Sequence, residues 1–405
     1  MGTVTRSNKL FNAALFSEYT RGYSFTNLLT GDAPKAAKGK SSQKQTNPHA
    51  PIVRVSDLSK AAGDAVEIDV IHKLRGAPTM GDRKLEGRGE SMTTATMELK
   101  IDQGRHMVDA GGKMAQKRTK HNLQQQARTL LGDNYYHDLE DQVLLYHLAG
   151  ARGTLLDADS IVPLDSHPEF AEMMVNELMA PSYDRVAYGG DATSLDTLDG
   201  TDLFSLDSVE QMRLRLDEMS SMRIPSIKFK DDKMANESPL YVQYVSPRQL
   251  HDMKQNASQK DLNMMMASAM NRQKGFSHPI FSGECYMWEG ILIKKMPRWV
   301  EFAAGSTVDV SNNDNGATVS QKTNSVKVHR SILLGGQAIA NAYGNAGKGG
   351  DDKGYFGMTE EEVDHGNGKE ISIGWMNGKK KIRFADKDGR QNDHGIFVMD
   401  TAVSA

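Results

Sequence analysis

Val66-Glu67-Ile68-Asp69-Val70 and Met97-Glu98-Leu99-Lys100-Ile101-Asp102 each alternate apolar with charged residues. A period of two predicts two strands, each with one wet face. Between them lies a stretch rich in glycine and basic side chains: Arg75, Gly76, Gly81, Arg83, Lys84, Gly87, Arg88 and Gly89. A loop of roughly twenty residues inside a compact domain is uncommon and is usually functional or reaches a partner. A two-stranded ribbon with such a tip has no core of its own and needs a surface to lie on.

On the amino-terminal side, Phe11, Ala14, Leu15 and Tyr19 repeat at helical spacing. The polar stretch Gly31 to Pro51, with Lys35, Lys38, Lys40 and Lys44, holds too little apolar surface to fold alone. On the carboxyl-terminal side a long helical pattern runs from Lys113 to Leu148, and Gly132-Asp133-Asn134 is expected to kink or split it. Residues 151–207 are acidic and loop-rich. Ser208-Val209-Glu210-Gln211 has the form of a capping box, with Val209, Met212, Leu216 and Met219 on one helical face and Pro225 as the stop. Leu240 to Val245 reads as a strand, and Ser246-Pro247-Arg248-Gln249 as a helix start. In the helix Asp261 to Met270, the residues Met264, Met265, Met266 and Met270 are expected to fill core. The last third predicts strands at Tyr286–Lys294, Ser325–His329, Ile371–Trp375, Lys381–Phe384 and Ile396–Met399. Mixed order without a repeated βαβ unit indicates an α+β chain.

The 405 residues carry 49 Lys+Arg and 52 Asp+Glu, a net charge of −3. That balance argues against a dedicated basic nucleic-acid binder. Mean hydropathy is −0.54, and no run approaches the roughly 18 apolar residues of a membrane span. Arg6 breaks the myristoylation pattern, and Leu10 to Phe16 makes a poor signal-peptide core, so a soluble protein of cytoplasmic origin is expected. The single cysteine, Cys285, excludes a disulfide framework within the chain and a cysteine-rich zinc site. The charge is unevenly placed: residues 1–130 hold 21 Lys+Arg and 12 Asp+Glu, and residues 131–220 hold 4 and 19. A basic arm on nucleic acid, complementary surfaces that attract copies of one chain, and a merely solvated surface all fit this asymmetry.

Catalytic and ligand-binding patterns fail on their required positions. Gly39-Lys40-Ser41 lacks the first glycine of a phosphate-binding loop, and Gly349 stands where the second candidate, Gly344 to Gly350, needs a hydroxyl. Asn313, Asn315 and Gly316 echo a calcium loop that Ser311 and Lys322 break. Asp364-His365-Gly366 and Asp393-His394-Gly395 are expected to be turns. Asp191, Asp196, Asp199 and Asp202 read as a solvated acidic loop, and Cys285 as a buried structural thiol. No cofactor and no metal is expected.

Several stretches then resemble one family in their shared order: Leu240-Tyr241-Val242-Gln243-Tyr244-Val245-Ser246-Pro247-Arg248-Gln249-Leu250, His278-Pro279-Ile280-Phe281-Ser282-Gly283, Trp288-Glu289-Gly290-Ile291-Leu292-Ile293, Leu334-Gly335-Gly336-Gln337-Ala338, Asp364-His365-Gly366, Lys380-Lys381-Ile382-Arg383-Phe384 and the closing Asp393-His394-Gly395 with Asp400-Thr401. From about residue 60 onward the chain resembles the major capsid proteins of tailed bacteriophages, in the branch typified by phage N-four. The resemblance implies a Hong Kong 97-like α+β fold. Its parts would be an N-terminal arm (1–62), an E-loop hairpin with flanking strands (63–105), the spine helix of the P domain (106–150), an A domain with P-domain strands (151–345) and returning C-terminal strands (346–405).

It implies a structural, non-enzymatic protein that assembles with itself, as hexamers and pentamers, into an icosahedral head shell around double-stranded DNA. Assembly in the bacterial host cytoplasm, with scaffold, portal and decoration proteins as further partners, is part of the same expectation. No membrane and no sequence-specific DNA contact is implied. Arg75, Arg83, Lys84, Arg88, Lys113, Lys117 and Arg118 on the basic side, and Asp191, Asp196 and Asp199 on the acidic side, are the candidate inter-subunit contacts. Two other classes remain open at this point: an α+β hydrolase using the carboxylates of residues 191–202, and a nucleic-acid protein with a basic arm.

Overall fold

In the computed structural model, residues 29–30, 49–55, 63–119, 122–219, 222–229, 232, 237–273, 279–281, 284–313, 318–344 and 356–404 are described. The expected helix around Phe11 to Tyr19, most of the polar arm, Gly39-Lys40-Ser41 and residues 345–350 lie outside them.

One seven-stranded sheet organises the larger part of the chain. Its order is β5 (Val186–Tyr188), β18 (Ile396–Ala402), β12 (Val328–Leu334), β6 (Tyr241–Val245), β8 (Ile291–Lys295) and β7 (Cys285–Trp288), and β9 (Val300–Phe302) adds to β12. β12 is antiparallel to both neighbours, while β6 and β8 run parallel. Alternate residues enter two different cores. Val242, Tyr244, Leu292, Ile332, Leu334, Ile396 and Val398 face one cluster, and Tyr241, Val245, Ile291, Ile293, Leu333, Phe397 and Met399 face the other. A sheet buried on both faces reads as unbroken apolar sequence, and Ile332-Leu333-Leu334 and Ile396-Phe397-Val398-Met399 have that form.

The second sheet runs β1 (Ile52–Val55), β13 (Ile339–Tyr343), β15 (Gly368–Lys381), β14 (Phe356–Val363), with β4 (Asp102–Gly112) also on β15. β1 joins β13 in parallel and the other pairings are antiparallel. Three two-stranded pieces complete the strands: β2 (Ala65–Ile71) with β3 (Thr94–Lys100), β10 (Thr307–Ser311) with β11 (Val319–Thr323), and β16 (Arg383–Ala385) with β17 (Gln391–Asp393).

The long helical pattern is divided. α1 (Lys113–Arg118) ends in extended backbone at Thr119, and Asn122 caps a new start, its side chain accepting from the Gln125 amide. From there α2 (Leu123–Thr129), a π-helical stretch (Leu130–Tyr136) and α3 (His137–Ala149) follow without a break. Gly132 therefore widens the helix rather than splitting it. A Cβ on Gly132 would meet only the Met358 methyl group, at 2.7 Å, the far end of a flexible side chain on β14. Ala127, Leu131 and Tyr136 pack there with Ile371 and Ile373.

Further α-helices among the described residues are α4 (Glu169–Met174), α5 (Leu206–Glu218), α6 (Pro247–Asn256) and α7 (Gln259–Gln273). The cap of α5 is Ser205, not Ser208, and the helix ends at Glu218, well before Pro225. Ser208 is buried in the first turn instead. The capping box expected at Ser246 and Gln249 is present, and the Gln249 side-chain Nε2 also donates to the His329 carbonyl and to Thr401 Oγ1, both at 2.9 Å. This ties the helix start to the end of the large sheet. Of the four α7 methionines expected in the core, only Met265 is buried.

Buried charge holds the two sheets to their neighbours. Arg330 grips Asp400 with two hydrogen bonds of 2.7 Å and donates to the Ala149 carbonyl at the end of α3. Asp393 takes Lys381 Nζ at 2.9 Å on one oxygen and Arg383 Nε at 2.7 Å on the other. The tripeptide at 364–366 is a turn with positive φ at each residue. Asp393, by contrast, sits in β17 as the counterion of two cations, and His394 beside it is half-buried. Desolvation also overturns the expectation of a free acidic loop at Asp202, which is buried with its carboxylate accepting from the Asp199 amide.

The buried His147 and the half-buried His394 are expected to make the free subunit acid-sensitive. Burial holds His147 down to about 3 and His394 to about 4, each with a nearby cationic contribution from lysines or Arg185. Between these values and the ordinary 6.5 the unfolded chain binds protons that the folded one does not, so stability falls as pH falls. At pH 5 each group is expected to cost about 2 kcal/mol relative to neutral pH. Urea midpoints of dissociated subunits at pH 7 and pH 5 check this: His147→Gln should shrink the difference between the two, and an unchanged difference would exclude His147 as a source.

Candidate inter-subunit surface

The ribbon that opened the sequence reading is present, with Val66 opposite Leu99 and Ile68 opposite Met97. Its base is not coreless. Met97 and Leu99 are buried with Val55, Ala340, Ala342, Ile382 and Phe384, and Val66, Ile68 and Val70 pack against that cluster. The wet-face prediction holds for Glu67 and Asp69, which are exposed. The surface the ribbon needs therefore comes from its own subunit, next to β13 and β16. Register at the neighbouring strand is close: a Cβ on Gly378 would collide with the Lys100 carbonyl oxygen.

Only residues 72–93 project. Arg75, Arg83, Lys84 and Arg88 are all exposed there, and so are Leu74, Met80, Leu85 and Met92, each more than half open to solvent. Glu90 anchors the loop at its neck. Its carboxylate accepts from the Arg75 and Gly76 amides and pairs with Lys387, in the turn between β16 and β17. The Lys387 hydrogen bond, followed by the two amides, holds the Glu90 carboxyl down to about 2. Among the described residues, Arg83, Lys84 and Arg88 make no ion pair. Their charge is left available to another body.

Lys113, Lys117 and Arg118 lie exposed on α1, a separate short helix rather than the start of a long spine. Asp191, Asp196 and Asp199 are exposed in the loop after β5. Asp196 is engaged by Ser194 and by Lys322 Nζ at 3.0 Å, which lower its pKa, and Asp199 accepts from the Thr201 hydroxyl and amide, which lowers its own. Within the subunit no ion pair joins the basic set to the acidic set among the described residues. The acidic segment is partly neutralised internally by cations of the last third: Arg298 pairs with Asp138 and Asp157, Lys379 with Glu140, and Arg390 with Asp184. Sequence reasoning missed this, because partners so distant in the chain leave no local pattern.

Two concavities among the described residues are large enough to admit a small molecule. One, of about 280 Å³, is walled by Tyr135, Tyr136, Trp375, Glu140 and Lys379; the other, of about 840 Å³, by Tyr188, Arg215, Ser311, Lys322 and Arg390 among others. Neither gathers a nucleophile with a base. Ser246, His329 and Glu301 do line up, with 2.7 Å from Ser246 Oγ to His329 Nδ1 and 3.1 Å from His329 Nε2 to Glu301. However, Ser246 is fully buried, its hydroxyl accepts the Gln249 amide as a helix cap, and none of the three borders either concavity. Among the described residues, no group of three His, Cys, Asp or Glu is placed to hold a metal ion. Burial pushes the half-buried Cys285 thiol up, away from thiolate chemistry. Among them, too, no helix is long and apolar enough to cross a membrane.

Comparison with known proteins bears on the whole chain. The family described as "Phage capsid protein" matches residues 6–405. Among solved structures, the capsid of Ralstonia phage GP4 is similar at 27% identity, covering 100% of this chain and 98% of its own, with a TM-score of 0.75. The cyanophage Pam1 capsid is 18% identical over 100% of this chain and 98% of its own, with a TM-score of 0.64. The head of Helicobacter pylori bacteriophage KHP40 is 12% identical, covering 98% and 99%, with a TM-score of 0.58. The latter two share the fold. No match was found among curated proteins.

Proposed function

The chain belongs to the phage capsid protein family, and on that premise we propose that loop 72–93 is the part by which one subunit of the shell takes hold of the next. The protein is a structural major capsid protein with a Hong Kong 97-like α+β fold, and its copies build the phage head shell. The observation that carries the proposal is the loop itself: five basic side chains, Lys73 among them, and four large apolar ones, all exposed, on a ribbon whose base is already satisfied. The exposed Asp191 and Asp199 of another copy offer the opposite charge. The arm (1–62), hairpin (63–105), spine segment (106–150, which opens with the end of β4 and the short helix α1 before its continuous helix), A domain with P-domain strands (151–345) and C-terminal strands (346–405) are the working parts of this subunit.

On this reading hexamers and pentamers form in the host cytoplasm, with scaffold, portal and decoration proteins as partners, and the shell encloses double-stranded DNA. The net charge of −3 suits a wall that does not grip packaged phosphate.

Exposed charge pairs are individually worth about 0 to 1 kcal/mol and are screened beyond roughly 10 Å at 0.1 M salt. Their sum affects the rate and accuracy of association more than final stability. The triple reversal Arg83→Glu, Lys84→Glu, Arg88→Glu is therefore expected to slow assembly about tenfold or more in low salt, and raising the salt should narrow the gap. Light scattering with negative-stain microscopy reads both effects. Wild-type kinetics for the reversed protein in low salt would remove the electrostatic role of the loop.

A further inference from the structure

The smaller of the two concavities has a wall of three aromatic rings. Tyr135 lies flat on His106 with ring centres 4.1 Å apart, and Tyr136 meets Trp375 at 5.3 Å with the rings tilted. The Tyr136 hydroxyl accepts from Asn377 Nδ2 at 3.2 Å, which holds that ring in place. Both tyrosines and Trp375 border a space of about 280 Å³. Sites for drug-sized ligands are usually larger, roughly 300–1,000 Å³, so this one suits a compact group.

Its walls depart from regular backbone in two places. Consecutive side chains of an α-helix diverge by about 100°, yet Tyr135 and Tyr136 both reach the cavity, from the end of the π-helical stretch Leu130–Tyr136. Such stretches are frequent at functional sites. Val175, also in the wall, has a φ of 64°, a region that a β-branched residue ordinarily avoids. Strain of this kind clusters at ligand clamps and active sites. Gly104 stands opposite Trp375 where β4 pairs with β15, and a Cβ there would overlap the indole. The glycine leaves the ring its place beside the cavity.

The charges in the wall select the ligand. Three carboxylates, Asp102, Glu140 and Glu172, border the space against two cations, Arg105 and Lys379. Glu140 and Lys379 are buried and neutralise each other at 3.5 Å. Asp102, Glu172 and Arg105 are exposed and form the rim, with one negative charge in excess. The faces of aromatic rings attract cations, and aromatic cages are a recurring means of holding alkylated ammonium groups. A metal ion is a poor occupant, because among the described residues no group of three His, Cys, Asp or Glu is placed to hold one. We infer that this cavity binds a small alkylammonium ion, its methyl groups against Tyr135, Tyr136 and Trp375 and its charge answered by Asp102 and Glu172 at the rim. The site lies within one subunit and is independent of the shell reading.

Choline is the probe, titrated into dissociated subunits of the full chain, with binding read from its methyl resonance by saturation-transfer NMR. Its uncharged isostere, with carbon in place of the nitrogen, fills the same volume without the charge. Choline is expected to bind about tenfold more tightly than the isostere. Equal affinities would show a merely apolar cavity, and no saturable choline binding would show no site; either result overturns the inference.

Two variants locate the binding. Tyr135→Phe keeps the ring and should bind choline as wild type does, whereas Tyr135→Leu should bind it about tenfold more weakly. Glu172→Lys, at an exposed position on α4, should weaken choline and leave the isostere unaffected. Each variant is compared with wild type by circular dichroism. Undiminished choline affinity in folded Tyr135→Leu and Glu172→Lys subunits would place the ion elsewhere and overturn the inference.

Discussion

Asp393→Ala is expected to destabilise the subunit by about 3 to 5 kcal/mol, the scale on which removal of one partner from a buried ion pair acts. Asp393 is fully buried and neutralises Lys381 at 2.9 Å and Arg383 at 2.7 Å. It also accepts from the Ser182 amide, and its carbonyl takes Arg185 Nε at 3.0 Å. Removing the carboxylate leaves Lys381 buried without its counterion, although burial already holds that ammonium down to about 8. A typical domain is stable by only about 5 to 15 kcal/mol, so most of the soluble yield should disappear. Urea unfolding of dissociated subunits measures the loss. Combining Asp393→Ala with Lys381→Met should recover part of it, because two apolar groups are tolerated where a lone charge is not. An Asp393→Ala midpoint equal to wild type would show that the cluster contributes nothing net.

The other large effect is on assembly alone. Replacing residues 75–91 with a short glycine-containing turn should leave the subunit folded and abolish shell formation. The cut lies beyond β2 and β3, whose inward residues Val66, Ile68, Met97 and Leu99 stay with their cluster on the subunit body. Glu90 and its bond to Lys387 are lost, but both are at the surface. Circular dichroism and protease resistance should match wild type while sedimentation shows only small species. Loss of the folded subunit would mean that the loop stabilises its own chain, and closed shells would mean that subunits join by other surfaces.

The features that sequence revealed are those whose cause is local. Alternation marked β2 and β3 because one face of each is wet, and Ser246 with Gln249 marked a helix start because a capping box is complete within four residues. Features with distant causes were misread. Asp393-His394-Gly395 has the composition of a turn, but its carboxylate is claimed by Lys381 and Arg383. β15 runs through Gly374, Gly378 and Lys379 to Lys381, residues that argue against an inner strand until Glu140 and Asp393 supply their charge partners. In α7 the position of the core decides which methionines are inside, and four of them in ten residues conceal the phase. The basic loop was legible as a candidate surface; the internal pairing of acids with Arg298, Lys379 and Arg390 was not.

The place of β18 in the large sheet has a consequence for the making of the protein. It lies between β5 and β12, with Val398 opposite both Val186 and Ile332. A ribosome must therefore translate as far as residue 402 before β5 can join the sheet, although β12, β6, β8, β7 and β9 can pair before then. Nascent chains cannot mature vectorially from the amino end. Prematurely terminated chains lack the strand that links β5 to β12 and the residues Ile396 to Met399 that it gives to both cores, so the cell's supply of competent subunits is filtered for completed synthesis before any of them meets a neighbour.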